Sequence, residues 1–248
     1  MKPKLQKETV DPSRIAWGLN TSKRLADAML YRSMAFDLMR QYRRMKKRLR
    51  ILSFPAQTWV WEQALASDFP DVKMEFLGLE RDPRIHKKTA KFGEALPQHF
   101  KMTAGPVDFR SFADLTTRRR PYDVIYLDWM GTWSKEKKED IAAMFRNELL
   151  AVGGMLLLTV SLRRGRPETM DELTDLSYDL PLAFYDARGE DKYTSNLKVR
   201  GIPHWVQNYA KEYFDIDMRP LMASVYYSST GLSHQVQPQL QIVLLRET

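Results

Sequence analysis

From residue 50 onward, short apolar runs alternate with stretches of helical periodicity. "RILSF" predicts a strand, and "TWVWEQALASDF" after it predicts a helix. "KMEFLGLE" predicts a second strand. "DPRIHKKTAKFGEAL" predicts a second helix, with Asp82 as N-cap and Pro83 at its first helical position. "HFKMTA" gives a short third strand, "FRSFADLTT" a helix and "YDVIYLD" a fourth strand ending at Asp128. "SKEKKEDIAAMFRNELLAV" predicts a helix capped by Ser134 and stopped by Gly153 and Gly154, and "GMLLLTVSL" a fifth, buried strand. Five apolar strands separated by helices imply an α/β fold: a doubly wound, mostly parallel sheet covered on both faces.

Both ends of the chain depart from this rhythm. Residues 166–180 predict a further helix, an inserted polar loop follows at about 181–203, and "HWVQNYAKEYF" predicts a helix after it. "IDMRPLMASVYYSS" and "QPQLQIVLLRE" are then two strands joined by "TGLSHQV". That link is too short for a crossover, so the two strands pair as an antiparallel hairpin. Upstream, Leu25, Met29, Phe36 and Met39 recur at helical spacing, with Met45 beyond them. The chain therefore divides into a basic helical N-terminal extension, residues 1–48, and an α/β domain, residues 49–248.

Charge sharpens the picture more than composition does. The 248 residues are 44% hydrophobic, enough for a substantial core, and carry a formal net charge of +8. The basic residues cluster in "RQYRRMKKRLR", Arg40–Arg50, at Arg118–Arg120, and in "SLRRGRP" after the fifth strand. Arg43, Arg44, Lys46, Lys47, Arg163, Arg164 and Arg166 are the candidate phosphate contacts, which makes DNA or RNA the expected partner. A solvated helix face and soluble loops are the plainer account of the same residues. A protein partner or a second copy is also open. With no cysteine, disulfides and thiolate metal sites are excluded. The start shows no signal-peptide core and no apolar run is of membrane-spanning length, so a soluble protein of the cytoplasm or another reducing compartment is expected.

Three acids fall at the carboxyl ends of successive predicted strands: Glu80 in "FLGLERDP", Asp108 in "TAGPVDFRSF" and Asp128 in "YDVIYLDWMGTW". Ligands of open α/β sheets bind outside those ends. With the terminal hairpin, this arrangement resembles the class I S-adenosylmethionine-dependent methyltransferases, over about residues 48–248. The resemblance implies a Rossmann-like fold with S-adenosylmethionine as cofactor. It puts Ser53, Phe54, Pro55, Ala56 and Gln57 around the cofactor's methionine, although this loop lacks the family's glycines. It gives Glu80 to the ribose hydroxyls and Asp108 to the adenine edge, with Val107 and Phe109 beside the ring. Asp108 is equally suited to capping the next helix. Glu62 is expected to face solvent.

The resemblance places Asp128 opposite the transferable methyl group, with Trp129 as a flat surface beside it; the Pro-Pro that follows in amine-methylating members is replaced by Met130 and Gly131. Asp128 and Trp129 are thus the candidate catalytic residues, and Trp133 is expected to anchor the next helix. The four histidines show no metal-ligand spacing, so no metal site is expected. Two functions fit: a methyltransferase acting on nucleic acid, or a catalytically silent subunit of the same fold that binds nucleic acid or a protein.

Overall fold

Leu49–Ser53 forms strand β1, with four of its five side chains buried. It lies at the centre of the sheet in a computed structural model that describes residues 47–55, 59–96, 100–116, 120–162, 173, 192–229 and 236–248. Helix α1 (Val60–Asp68), β2 (Met74–Gly78) and helix α2 (Pro83–Glu94) follow. Then come β3 (Phe100–Met102), helix α3 (Phe109–Leu115), β4 (Tyr122–Thr132), helix α4 (Lys135–Arg146) and β5 (Leu150–Ser161). Helix α5 (Lys192–Phe214) leads to β6 (Met218–Ser229) and β7 (Val236–Arg246).

The seven strands run in the order β3-β2-β1-β4-β5-β7-β6. The first five are parallel, and β7 inserts antiparallel between β5 and β6. The predicted doubly wound sheet with a terminal hairpin is therefore present. Its strands are apolar on both sides, as a sheet clad in helices requires. One face packs Leu52, Ile125, Leu127 and Leu158 against Phe112, Ile141 and Met144 of α3 and α4 and Trp205 of α5. The other packs Ile51, Phe76, Val124 and Leu157 against Trp59, Trp61 and Leu65 of the α1 region.

Several boundaries differ from the sequence reading. Helix α4 ends at Arg146, not at the glycines, because Glu148 turns the chain with φ 49°. The amide of Leu149 then donates to the Met144 carbonyl, closing the helix end. Gly153 and Gly154 lie inside β5 instead. Ser134 stands at the N-cap position of α4 without a side-chain cap bond. Helix α5 begins at Lys192 and runs through Pro203, so the C-terminal part of the expected polar loop is helical. Burial of Ile202, Trp205, Val206 and Ala210 outweighs the carbonyl bond that the proline forfeits. The N-terminal amphipathic helix and, apart from the buried, helical Leu173, the expected helix over 166–180 lie outside the described residues. No described helix is long and apolar enough to cross a membrane.

Candidate functional site

The register of the central strands sets the site. Ser53 of β1 is paired with Gly78 of β2 on one side and with Tyr126 of β4 on the other. Glu80 follows Gly78 by two residues, and Asp128 follows Tyr126 by two. The amide of Leu79 still donates to the Ser53 carbonyl at 2.9 Å, so the chain keeps its course beside β1. Both residues therefore fall two positions beyond the partners of Ser53, on chain segments that flank β1 about 10 Å apart. Glu80 Oε1 accepts from the Asp82 amide at 2.8 Å, and the Glu80 carbonyl accepts from Val107 at 2.9 Å. The second bond draws the end of β3 and the segment before α3 against the same edge.

The β1–α1 connection is built without glycine, yet it reaches the left-handed region. Trp59, the N-cap of α1, has φ 52° and ψ 40°. A bulky residue adopts this conformation only when its surroundings impose it. Its indole is fully buried, stands edge-on to Phe100 with centroids 5.6 Å apart, and donates to the Thr89 carbonyl at 3.2 Å. The β2 tip accommodates that indole by being glycine. A Cβ on Gly78 would lie 2.6 Å from the Trp59 ring and 2.7 Å from Pro55.

Below this loop, Ser53 Oγ donates to Glu62 Oε1 at 2.7 Å. Glu62 is 2% exposed, so the expectation that it faces solvent is wrong. Its partner lies nine residues upstream and meets it only once β1 and α1 have packed, so local pattern could not reveal the pairing. Of the other loop candidates, Phe54 is half-buried and meets Phe109 edge-on at 6.0 Å, and Pro55 is buried. Ala56 and Gln57 lie outside the described residues.

Asp108 caps α3. Its Oδ1 accepts from the Ser111 amide at 3.0 Å and its Oδ2 from the Ser111 hydroxyl at 2.8 Å. Burial pushes the carboxyl up, but these bonds prevail and hold it below its usual range. Asp82 likewise caps α2 through the amides of Arg84 and Ile85. Phe109 is 3% exposed and belongs to the core as well as to the rim of the site.

Strand β4 does not end at Asp128. It continues to Thr132 through an irregularity in its pairing with β5, where Gly131 has φ 98°. Trp129 packs with Leu127 against the α3–α4 face, whereas Tyr126 belongs to the opposite core. Strand alternation places Asp128 with Tyr126. Asp128 and Trp129 thus project from opposite faces of one edge, and the expected side-by-side clamp becomes two walls. Trp129 is half-buried and stands edge-on to Trp133 at 6.2 Å. Trp133 is 1% exposed and belongs to the core, as expected, but its ring packs on Trp205 of α5.

An ionic cluster not anticipated from the sequence joins α3 and α4. Arg110 Nε of α3 lies 3.4 Å from Oδ1 of Asp140 on α4. Arg110 Nη1 also meets Glu139 at 2.5 Å. Burial pushes the Asp140 carboxyl up to about 6, against the opposing pull of Arg110. One signal existed: Asp140 lies four residues before Met144 and three after Lys137, both buried, so it borders the apolar stripe of α4.

The basic candidates are not gathered at this edge. Arg43, Arg44, Lys46, Arg163, Arg164 and Arg166 lie outside the described residues. Lys47 is exposed and enters β1 at its amino end, away from Glu80 and Asp128. Arg120 also precedes its strand, and its carbonyl accepts from the Arg50 guanidinium there.

No family model and no curated protein matches the chain. Solved structures do align with it. A protein proposed to be a sarcosine dimethylglycine methyltransferase from Galdieria sulphuraria is 14% identical, with a TM-score of 0.45, over 91% of this chain and 86% of its own. TehB from Haemophilus influenzae is 14% identical, at 0.46, over 83% and 59%. TrmN from Thermus thermophilus is 16% identical, at 0.43, over 91% and 53%. Likenesses at this level decide neither substrate nor chemistry. The strand order and the inserted antiparallel β7 decide the architecture. It is a doubly wound, mostly parallel sheet closed by an antiparallel hairpin, the architecture that the resemblance to the class I methyltransferases implies. The β1 tip is built with Phe54 and Pro55 and without a glycine turn.

Proposed function

We propose that the protein is an S-adenosylmethionine-dependent methyltransferase acting on nucleic acid. The observation that carries this reading is the register that sets Glu80 and Asp128 two positions beyond the partners of Ser53, on either side of the β1 tip. Glu80 would accept from the two vicinal ribose hydroxyls, and the segment from Ser53 to Gln57 would border the methionine end. Asp108 would reach the adenine edge only while still capping α3, and Phe54 and Phe109 would line the ring. The cofactor supplies an electrophilic methyl group on a sulfonium. Asp128 would accept a hydrogen bond from the acceptor amine or hydroxyl, aim its lone pair and ease departure of its proton. Trp129 would offer a stacking surface to a base from the opposite face. The basic residues from Arg43 to Lys47 and from Arg163 to Arg166 would bind phosphates, with affinity falling steeply as salt rises.

A second reading rests on the β1 tip. The Pro55 ring and the Trp59 indole crowd Gly78 where the family keeps glycines, which favours a silent subunit of the same fold. Calorimetry with S-adenosylmethionine separates the two. The enzyme reading expects binding, lost in Glu80→Ala and kept in Asp128→Ala, with methyl transfer to RNA or DNA lost in both. No binding at millimolar cofactor would leave the silent subunit.

A further inference from the structure

We propose that the Lys137 ammonium binds a phosphate of the nucleic-acid substrate beside Gly131, at the end of β4. The place of the cation is a matter of geometry. The identity of the anion rests on the nucleic-acid methyltransferase reading.

Lys137 stands in the first turn of α4, one turn before Ile141 and two before Met144 and Phe145, all of them buried. It therefore lies on the apolar stripe of the helix, where a lysine breaks the pattern. Only 8% of it is exposed. Its Nζ donates to the Thr132 carbonyl at the end of β4. An ammonium has three donors, and that carbonyl is its one hydrogen-bond acceptor among the described residues. No carboxylate of those residues lies within ion-pairing distance of it. Glu136 and Asp140 act on it only through their longer-range fields, and burial holds the ammonium below its usual range against their pull. A buried charge without a direct counter-charge is costly. A neutral donor could serve one carbonyl without that cost, so the Thr132 bond alone does not account for the cation.

The ammonium also borders open space. Gly131 is exposed and has φ 98°. Apart from its chain neighbours, a Cβ there would find one atom within 4 Å among the described residues, Lys137 Nζ at 3.9 Å. The missing side chain thus leaves a gap through which an anion can reach the two remaining donors. Gly131 follows Trp129 by two residues on the same strand extension, about 7 Å along it. A strand whose base meets Trp129 can therefore bring a phosphate to this gap.

Binding of a fluorescent mixed-sequence single-stranded RNA, read by anisotropy over a series of salt concentrations and without cofactor, tests the contact. Loss of one phosphate contact lowers the slope of log affinity against log salt by about 0.7. Lys137→Met is expected to lower the slope by that amount and to weaken binding about tenfold at low salt. Lys137→Arg, which keeps the charge, is expected to keep the slope. Methionine suits the apolar stripe, so Lys137→Met should fold with a urea midpoint at or above that of wild type. Weaker binding with an unchanged slope means that Lys137 only shapes the end of β4, and it overturns the phosphate contact. So does wild-type affinity in Lys137→Met, or a wild type that binds no RNA. A lowered slope in a protein that binds no S-adenosylmethionine overturns the enzyme and leaves the phosphate contact standing.

Discussion

The two halves of the carboxyl-end edge are built on different principles. On the β1–β2 side, Trp59, Pro55, Gly78 and Met102 interlock as packed hydrocarbon, and a polar pair beneath them, Ser53 and Glu62, is buried. On the β4 side, Asp128 and Trp129 are half-buried, the strand slips register, and the neighbouring Asp140 titrates near neutrality. Close packing resists change in volume, whereas a partly solvated ionic cluster responds to charge and pH. One half is thus suited to holding a fixed shape and the other to adjusting around a ligand.

Gly78→Ala tests the packed half most severely. The new methyl would meet Met102 Sδ at 2.5 Å, the Trp59 ring at 2.6 Å and the Pro55 ring at 2.7 Å. The Met102 end can swing away, but the two rings are held by their own packing. Overpacking at such a site costs about 2–3 kcal/mol, read as a lower urea midpoint. A loss below about 0.5 kcal/mol would mean that this half yields as easily as the other, and the contrast would fail.

Glu62→Ala probes the buried pair in the same half. It leaves the Ser53 hydroxyl, which is 0% exposed, without its acceptor. An orphaned buried donor costs about 1–3 kcal/mol. Glu62→Gln, which can still accept from Ser53, should recover part of the loss in the same urea titration.

How far these differences could be seen in the sequence depends on the range of the interaction involved. The Asp82-Pro83 start of α2 was legible because capping chemistry lies within four residues. The hairpin was legible because its link is short. Strand tips were legible to within a few residues: β2 ends two residues before Glu80, whereas β4 runs four residues past Asp128. Because β4 continues for four residues past Asp128, strand alternation carries on and puts Trp129 on the opposite face from it, and only pairing with β5 reveals the continuation. Glu62 and Asp140 look like solvent-facing positions of polar helices, and each is turned inward by a partner remote in sequence, Ser53 and Arg110 respectively. Trp59 defied the expectation that a tight connection needs glycine, because its buried indole imposes the positive φ.

On the adjustable side, pH is the lever. Asp140 has its folded pKa raised from 3.8 to about 6, so the folded state binds a proton that the unfolded state releases in that window. The associated stability is complete below about pH 4 and is lost as pH rises through about 6. Asp140→Asn has no such titration, so its stability relative to wild type should rise by about 2 kcal/mol between pH 4 and 7, the full shift being discounted because the Asp140 side chain is 17% exposed. Urea unfolding at a series of pH values measures this directly. A difference that does not vary with pH would remove the contrast between a titrating half and a packed one.

The smallest effect belongs to Asp108, which follows β3 and caps α3, and there the comparison can be sharpened most. Removing the cap with Asp108→Ala should cost about 1 kcal/mol, because the Ser111 amide loses its acceptor. Asp108→Ser should restore most of that stability, since serine caps nearly as well. It does not restore a carboxylate facing the adenine edge. If Asp108 only caps α3, the serine variant will match wild type in S-adenosylmethionine affinity as well as in stability. If the carboxylate also serves the cofactor, the serine variant will be stable yet bind more weakly, by about the tenfold that 1.4 kcal/mol represents. Calorimetry and urea unfolding on the same two variants thus separate a local capping bond from a ligand contact.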